Sequence, residues 1–597
     1  MTESPMAGYR THRPGELDAS LIDEEVRVAG WVARRRDHGG ITFLDIRDSS
    51  GLVQVVVDPA EHPYVDSVRM EYTVSVAGKV SRRPEGTENL ELDTGEIEIH
   101  ASALDILSPS EGLPFMLDDR TEIDERLRLR FRYLDLRRPR MAANLRARSS
   151  ATAAIRRTLD DLGFLEVETP TLVRSTPEGA RDMLVPSRLR QGDFYALPQS
   201  PQLFKQLLMV AGVDRYFQIA RCYRDEDFRS DRQVEFTQLD LEGSFWGADE
   251  VQATVEATLA AATRALRGVE PPLPFPRLTW REAMERFGTD KPDMRFGMEL
   301  VDLSRIFADT EFGVFASTLE DGGTIRGINA GGREISRAEG DRLIERAKEL
   351  GARGLVWLQV EPDEGLRSPV AKFLSETERR ALIDALHGAP GDLLLIAADR
   401  WKTALTVLGG LRNDLGRPSG HQDLSFLWVV DFPLFEEEDG KLTFSHHPFT
   451  APKSIDEMRS SPETALSNAY DAVLNGVELG SGSLRIHDPD TQRKVFDILG
   501  IDAATAERRF GWFLEALRYG TPPHGGFAFG IDRLVMILQE ETSIREVIPF
   551  PKTQTGSDPL TEAPSPVEDS QLAELGIQLR PEVQASRADE AGSSEEP

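Results

Sequence analysis

Residues 221–242 have the sequence RCYRDEDFRSDRQVEFTQLDLE. Apolar and polar side chains alternate at both ends of this stretch and charged residues fill its middle, which predicts two strands joined by a charged loop. Arg224 offers a planar guanidinium for phosphate oxygens, Glu226 offers acceptors for an amino or hydroxyl group, and Phe236 offers a face on which a base can stack. The stretch favours a nucleoside triphosphate site, although alone it fits equally well a hairpin with surface ion pairs.

Two further segments help to choose between those alternatives. Residues 525–538 have the sequence GGFAFGIDRLVMIL, and residues 163–172 have the sequence GFLEVETPTL, which contains Pro170. In chain order, the three segments resemble motifs 1, 2 and 3 of the class II aminoacyl-tRNA synthetases. The positions that match motifs 2 and 3 are Tyr223, Arg224, Glu226, Glu235, Phe236, Gly526, Gly530, Asp532 and Arg533. Three separated motifs in the right order are stronger evidence than any single one.

Length and composition set outer limits on the protein. At 597 residues the chain is expected to form several domains. Its single cysteine, Cys222, excludes an intrachain disulfide framework and a cysteine-based zinc cluster, and we expect it to be a buried packing residue. No apolar run reaches the length of a signal peptide core or a membrane span, so we expect a cytoplasmic protein with no membrane partner.

Charge alone argues against a nucleic-acid partner, because the formal net charge is −31 and phosphate contacts need positive charge. The distribution of the charge nevertheless allows a nucleic-acid partner, since arginines cluster at residues 34–36 and again at residues 126–140. Each cluster fits either a basic binding patch or a solvated face with local ion pairs.

The resemblance is most specific for bacterial-type aspartyl-tRNA synthetases, and it extends from residue 30 to residue 579. It implies an α/β multidomain (α+β) protein with an N-terminal OB-fold β-barrel, an antiparallel-sheet catalytic domain and an inserted α/β domain. The predicted boundaries are 1–107 for the anticodon-binding barrel, 108–142 for a hinge, 143–293 and 426–554 for the two parts of the catalytic domain, 294–425 for the insertion, and 555–597 for a C-terminal extension with a disordered acidic tail.

The barrel is also predicted by pattern, since residues 23–107 contain five short segments in which apolar and polar residues alternate. Arginine beside an aromatic residue can read unpaired bases, or Phe43 can simply be core. The resemblance assigns tRNA anticodon contacts to Arg36, His38, Phe43 and Gln54. Relatives that also charge tRNA(Asn) tend to have histidine where discriminating ones have leucine, so His38 predicts an enzyme that acts on both tRNA(Asp) and tRNA(Asn).

For the amino acid, the resemblance implies L-aspartate, whose two carboxylates need cations and whose ammonium needs acceptors. Arg485 is the expected partner of the side-chain carboxylate, with Lys205 as a second positive charge. The complete predicted set is Glu178, Gln202, Lys205, Arg224, Asp240, His446, His447 and Arg485.

For ATP, the resemblance implies contacts from Arg224, Asp225, Glu226, Gln233, Phe236, Glu478, Gly530, Ile531, Asp532 and Arg533, of which Arg224 and Arg533 are the catalytic pair. Asp471 and Glu478 match positions that hold Mg²⁺, which prefers oxygen ligands. Because odd separations along a strand alternate sides, these two carboxylates can share a face only if a bulge or turn intervenes. The chain departs from the family at Ser481, where glycine is frequent.

The predicted activity is ATP-dependent attachment of aspartate to tRNA in two steps, by a homodimer that uses motif 1 in its interface. The alternatives are an enzyme restricted to tRNA(Asp), an asparaginyl or lysyl relative, and a non-catalytic RNA-binding paralogue. Arg485 with Lys205 disfavours the second alternative, and the intact Arg224, Glu226, Asp532 and Arg533 disfavour the third.

Overall fold

The computed structural model describes residues 8–176, 180–226, 231–362 and 365–584. The chain forms two compact units, Met1–Ala142 and Ala143–Pro597. Among the described helices, none is long and apolar enough to cross a membrane.

The first unit is built on a closed five-stranded barrel with the order β1-β2-β3-β5-β4. Its strands are β1 (Glu25–His38), β2 (Ile41–Arg47), β3 (Leu52–Val57), β4 (Thr73–Arg82) and β5 (Ile97–Ser108), and helices α1 (Glu125–Arg130) and α2 (Arg132–Asp135) follow. Valine, isoleucine and leucine fill the barrel from alternate strand positions, as the period of a strand requires. The predicted barrel is confirmed.

The arginine cluster of residues 126–140 is partly internal. Arg128, Arg132 and Arg138 converge on the fully buried carboxylate of Asp135, at 2.9, 2.5 and 3.3 Å. A buried carboxylate needs such partners, so these three side chains form a structural ion-pair network and not a basic binding patch.

The second unit contains the remaining elements. Its strands are β6 (Leu165–Glu166), β7 (Leu184–Pro186), β8 (Phe194–Ala196), β9 (Arg215–Tyr223), β10 (Glu235–Ser244), β11 (Arg277–Thr279), β12 (Val301–Asp302), β13 (Thr324–Gly332), β14 (Val356–Val360), β15 (Leu366–Arg367), β16 (Asp392–Asp399), β17 (Phe426–Val430), β18 (Phe435–Glu438), β19 (Lys441–Phe444), β20 (Ala469–Leu474), β21 (Val477–Leu484) and β22 (His524–Gly530). Its helices are α4 (Gln202–Val210), α5 (Ala248–Arg267), α6 (Trp280–Phe287), α7 (Gly313–Glu320), α8 (Arg337–Glu349), α9 (Glu376–Ala385), α10 (Trp401–Gly416), α11 (Ile455–Ser460), α12 (Pro489–Ile498), α13 (Ala503–Ala516), α14 (Ile531–Leu538) and α15 (Asp569–Glu574), and the long helix α3 (Pro139–Asp161) leads into this unit.

An eight-stranded sheet positions the three motifs. Its order is β11-β17-β20-β21-β22-β10-β9-β6, with antiparallel pairing in the middle and parallel pairing at the two edge pairs. The stretch at 221–242 supplies the end of β9 and most of β10, so the predicted hairpin is confirmed. Its neighbour β22 ends directly in α14, which brings the segment at 525–538 beside it.

A second sheet interrupts the first one. It has the order β12-β13-β16-β14-β15, and its chain leaves the large sheet after β11 and returns at β17, two strands that pair with each other. The predicted insertion began at residue 294. The core between this sheet and helices α8 and α10 already includes Met284 of α6, so its packing begins earlier. The predicted acidic tail falls mostly on residues 585–597, outside the described part of the chain.

Candidate functional site

A cavity of about 540 Å³ opens over the middle of the large sheet. Its walls come from the β9–β10 hairpin, from β21, from the start of α4 and from the junction between β22 and α14. This volume lies within the range of small-molecule sites. The segments at 221–242 and 525–538, which lie far apart in the chain, meet here because β9, β10 and β22 are neighbours in one sheet, whereas residues 163–172 contribute no side chain to the wall.

Arg485 lies at the deep end of the cavity and is buried. Its Nε donates to Oε1 of Glu242 at 3.0 Å, its Nη2 donates to Oε2 at 3.3 Å, and its Nη1 donates to Oγ of Ser483 at 2.8 Å. A guanidinium has five N–H groups, so within the described structure one N–H on each terminal nitrogen stays available. That fork can hold one further carboxylate by both oxygens.

Lys205 is the second buried cation of the cavity. Its ammonium lies 2.7 Å from Oδ1 of Asp240 and 3.1 Å from Oε2 of Glu242. The contact with Asp240 is an ion pair without hydrogen-bond geometry, and both oxygens of Asp240 have no hydrogen-bond partner among the described residues. Burial raises the pKa of Asp240 against the opposing charge of Lys205. Its oxygens are acceptors for a ligand's ammonium group.

Glu242 is the residue that sequence reasoning missed in this pocket. Burial acts to raise its pKa, but Arg485 and Lys205 together hold the pKa below the usual value, so it is a fixed anion between two cations. It lies two residues after Asp240 on β10, and the two-residue period of a strand could have indicated that both face the same side. The Glu242 side chain has room only because its partner on β22 is Gly526. A Cβ atom at position 526 would come within 1.8 Å of Oε2 of Glu242.

His447 and Gln202, which the sequence predicts beside the amino acid, line the cavity, each with a nitrogen that has no partner among the described residues. Burial, reinforced by Arg485 and Lys205, sets the pKa of His447 well below its usual value, so its ring is neutral. Its Nδ1 accepts the Phe449 N–H at 3.3 Å, which leaves the proton on Nε2, a donor without a partner among the described residues. Glu178, predicted beside them, lies outside the described residues.

The hairpin end of the cavity carries residues that the sequence predicts to contact the nucleotide. The guanidinium of Arg224 lies over the ring of Phe236, with 5.1 Å between Cζ and the ring centroid. Glu226 pairs with Arg232 at 2.9 Å. The amide of Gln233 is held at both ends by the backbone of Lys552, at 3.1 and 3.0 Å.

Arg533 closes the cavity on the side of Glu478. Its Nη1 donates to the backbone oxygen of Glu478 at 2.5 Å, its Nη2 approaches Asp231 at 3.4 Å, and its Nε has no partner within the described chain. Asp231 and Lys291 also line this end, and neither was singled out from the sequence. Gly530, which the sequence predicts to contact ATP, also lines this end.

Three other predicted nucleotide residues have different surroundings. The carboxylate of Asp532 is engaged by the protein on both oxygens, by Arg148 and by the N–H of Thr237. The side chain of Ile531 is fully buried in the core under the sheet, because it begins the buried face of α14. Asp225 is half exposed and lies 3.4 Å from Arg181. Asp532 nevertheless lines the cavity, whereas Ile531 and Asp225 are not part of its wall.

Asp471 and Glu478 are separated by an odd number of residues, so they could share a face only through a bulge or turn, and the structure contains such a bulge. They lie on the antiparallel strands β20 and β21, and an irregularity after Ala472 pairs Val473 with Glu478 while Asp471 pairs with Ser481. Since Val473 and Asp471 share a face of β20, the bulge brings Glu478 to that face. Burial raises the pKa of Glu478 and the charge of Asp471 raises it further, as for two neighbouring carboxylates.

These two carboxylates fit a cation that also binds phosphate oxygens, because such Mg²⁺ sites take only one or two carboxylates from the protein. No cluster of three or more His, Cys, Asp or Glu side chains suited to a metal occurs in the described ranges. Asp471 is also bonded to Nε2 of His446 at 3.1 Å. Burial lowers the pKa of His446, but Asp471 outweighs it and the pKa is raised overall.

The departure at Ser481 is tolerated for a steric reason. A Cβ atom at Gly480 or Gly482 would come within 2.1 or 2.2 Å of a backbone oxygen of β22, so these two positions require glycine. Ser481 lies between them with its side chain on the other face, and it lines the cavity.

In the barrel, the predicted tRNA residues share its outer face. Arg36 pairs with Phe43 across β1 and β2, and its Nη2 donates to Asp45 at 2.6 Å and to Gln54 Oε1 at 3.0 Å. His38 follows at the exposed end of β1, two positions from Arg36 and therefore on the same face. Phe43 is half-buried on this face and is not part of the barrel core.

Comparisons with known proteins give the families that the two parts of the chain match. Residues 124–554 match the family described as "tRNA synthetases class II (D, K and N)", and residues 26–107 match the "OB-fold nucleic acid binding domain". The chain is 54% identical over 580 residues to the aspartate–tRNA(Asp/Asn) ligase of Moorella thermoacetica, covering 95% of this chain and 96% of the relative. It is 54% identical over 583 residues to the protein of the same name from Rubrobacter xylanophilus, covering 96% and 97%.

Solved structures show the same fold at low sequence identity. The asparaginyl-tRNA synthetase of Pyrococcus horikoshii, complexed with asparaginyl-adenylate, has a TM-score of 0.55 and 19% identity, covering 89% of this chain and 96% of that one. The asparaginyl-tRNA synthetase of Entamoeba histolytica has a TM-score of 0.56 and 17% identity, covering 91% and 98%.

Proposed function

The chain belongs to the class II tRNA synthetases of the D, K and N group, and on this premise we propose that it joins L-aspartate to tRNA at the expense of ATP. The observation that carries the amino-acid specificity is the set of unpaired groups in the deep pocket. Arg485 offers two N–H groups for a side-chain carboxylate, His447 offers one more donor, and Asp240 offers acceptors for an ammonium group. Aspartate carries the complementary groups.

In the first step, an oxygen of the substrate's α-carboxylate attacks the α-phosphorus of ATP. The bond from that phosphorus to the bridging oxygen breaks, and pyrophosphate leaves with the electron pair. The protein supplies no nucleophile, so its contribution is position and charge. Arg224 lies where it can hold the α-phosphate and the attacking carboxylate, while Phe236 and Arg533 hold the base and the terminal phosphate.

Asp471 and Glu478 would hold Mg²⁺ at the phosphates, where the ion neutralises charge on the oxygens. In the second step, the 3′-hydroxyl oxygen of the terminal adenosine of tRNA attacks the aspartyl carbonyl carbon and AMP leaves. Asp240 and Lys205 keep the amino acid in place during both steps.

Pyrophosphate exchange tests the amino-acid assignment. The purified protein should exchange labelled pyrophosphate into ATP when aspartate is present, and much less with asparagine or lysine. Exchange that depends on asparagine or lysine and not on aspartate would overturn the assignment.

We also infer that the enzyme charges both tRNA(Asp) and tRNA(Asn). His38 supports this, since it is exposed beside Arg36 and Phe43 on the barrel face, and so do the names of the relatives. Charging of transcribed tRNA(Asn) should be clearly above background and should fall in His38→Leu, whereas charging of tRNA(Asp) should change little. Absence of wild-type activity on tRNA(Asn) would limit the enzyme to tRNA(Asp).

We further infer a cytoplasmic homodimer. Its substrates, ATP and tRNA, are cytoplasmic molecules. The edge strand β6 in motif 1 exposes Leu165, and Leu162 and Leu172 nearby are also exposed, which suits a surface that a second copy covers. Sedimentation should give twice the chain mass of 66.5 kDa, and a monomer at micromolar concentration would contradict this.

A further inference from the structure

Lys291 is an unassigned cation in the wall of the cavity. The positively charged side chains of the wall are Lys205, Arg224, Arg232, Lys291, Arg485 and Arg533. Four of them make close ion pairs, because Lys205 pairs with Asp240 and shares Glu242 with Arg485, Arg232 pairs with Glu226, and Arg533 approaches Asp231.

Only two of the six cations have no carboxylate closer than 4.0 Å within the described part of the chain. Arg224 lies over Phe236, and the nearest carboxylate oxygen to the Lys291 ammonium is that of Asp290, at 4.0 Å. Lys291 is half exposed, so its side chain can reach a ligand without breaking a buried contact. A triphosphate carries several negative charges and would draw on cations that the protein has not already neutralised.

The surroundings of Lys291 place it at the phosphate end of the cavity. It shares this wall with Glu478 and Arg533, the residues on which the metal and terminal-phosphate assignments rest. Two residues after Lys291, the side chain of Asp293 packs against Gly476, which lies two residues before Glu478 in the turn between β20 and β21. Lys291 and Glu478 therefore lie near each other, although they form no direct ion pair in the described structure.

The segment that carries Lys291 is anchored to the hairpin of β20 and β21. Two residues later, the fully buried carboxylate of Asp293 accepts from Arg295 at 2.6 and 2.9 Å and from Arg417 at 3.3 Å. Arg417 also donates to the backbone oxygen of Asn475 at 2.6 Å, in the turn that joins β20 to β21. Lys291 is thereby tied to the two strands that carry Asp471 and Glu478.

Helix α10 of the inserted region fixes the same segment from the other side. Arg412 on this helix is fully buried and donates to the backbone oxygens of Asp293, Phe296 and Gly297, at 3.0, 2.8 and 3.1 Å. Burial lowers the pKa of Arg412 to about 10, which leaves it charged at neutral pH. The insertion thus contributes to the active site by holding the loop of Lys291.

We propose that Lys291 binds the β- and γ-phosphates of ATP and the pyrophosphate that leaves, and that Arg412 and Arg417 are positioning residues for it. This inference rests on the proposed function, since it assumes a nucleoside triphosphate in the cavity. The residues around Lys291, just after α6, would then be a third segment that contacts the phosphates, together with the hairpin at 221–242 and the start of α14.

Lys291→Met tests this proposal, because it keeps the length of the side chain and removes the charge. In aspartate-dependent exchange, the KM values for ATP and for pyrophosphate should rise about ten-fold or more, the scale of one charge-assisted contact. The KM for aspartate should stay within about two-fold. Lys291→Arg should restore most of the affinity. The matched control is Lys348→Met, a half-exposed lysine on α8 that pairs with Glu345 and should behave as wild type.

An aspartyl-adenylate analogue separates a phosphate contact from a structural role. The analogue has no β- or γ-phosphate, so Lys291→Met should bind it as tightly as wild type in calorimetry. Unchanged KM values for ATP and pyrophosphate, or an equal loss for the analogue, would overturn the proposal. If the wild-type protein shows no aspartate-dependent exchange, it is the proposed function that fails.

Discussion

Replacing Glu242 by glutamine should damage both the fold and aspartate binding. The carboxylate is fully buried and holds Arg485 with two contacts, at 3.0 and 3.3 Å, and Lys205 with a third, at 3.1 Å. Glutamine keeps one acceptor but turns an amide NH₂ towards cations. Breaking a buried ion pair by removing one partner costs about 3–5 kcal/mol, and the retained hydrogen bond places Glu242→Gln near the lower end, about 3 kcal/mol.

Glu299→Gln is the matched control for this variant. Glu299 also holds an arginine with two contacts, Arg286 at 2.9 and 2.7 Å, but both side chains are nearly half exposed. An exposed pair contributes at most about 1 kcal/mol, so this variant should unfold almost as the wild type does. Urea unfolding followed by tryptophan fluorescence reports on the second unit, because six of the seven tryptophans lie beyond Ala142.

The functional measurement is the KM for aspartate in pyrophosphate exchange. Without the second acceptor, the Arg485 fork is no longer fixed, so we expect the KM to rise at least about ten-fold, as for loss of one charged hydrogen bond. The KM for ATP should stay unchanged. If Glu242→Gln is as stable as Glu299→Gln and keeps the wild-type KM for aspartate, then Glu242 does not position Arg485 and the reasoning is refuted.

Three further predictions concern the same site. Gly526→Ala should give little soluble or active protein, since its Cβ atom would lie 1.8 Å from Oε2 of Glu242; normal exchange activity would contradict this. Asp532→Asn should lower the free energy of unfolding by about 2 kcal/mol through its contact with Arg148, while the KM for ATP stays within a few-fold, and a large ATP defect without destabilisation would show a direct nucleotide role. Folding lowers the pKa of His447, so at acidic pH the unfolded chain binds a proton that the folded protein does not. Below about pH 6.5 the free energy of unfolding of the wild type should therefore fall by up to about 1.4 kcal/mol per pH unit relative to that of His447→Asn. A pH-independent difference between their urea midpoints would contradict this.

The elements of the fold could be predicted where one short-range pattern decided them. The strand alternation of residues 23–107 predicted the barrel, and the apolar ends of the stretch at 221–242 predicted β9 and β10. The start of the inserted region at residue 294 stays a prediction, and α6, which precedes it, packs on α10 across more than a hundred residues of chain. Contacts of that range leave no local periodicity to detect.

The site residues also divide into those that a local sequence motif marks and those whose role depends on long-range contacts. Arg224, Lys205 and Arg485 line the cavity. They could be predicted from the sequence because motif resemblance marks them and because the charges of the ligands require cations. Glu242 and Lys291 were missed since their roles depend on which strands are neighbours. The arginines of residues 126–140 misled for a related reason, since sequence does not reveal that Asp135 is buried among them.

The irregular pairing of β20 with β21 decides which face of the hairpin the Glu478 side chain occupies. One extra residue in β21 is what turns Glu478 to the side of Asp471. Deleting Leu479, the extra residue, would leave regular alternation with Glu478 still on the side of Asp471, whereas straightening the strand with Leu479 in place would send the Glu478 side chain into the opposite layer. A peptide tag belongs elsewhere, and the exposed turn at Asp439 and Gly440, between β18 and β19, offers such a position.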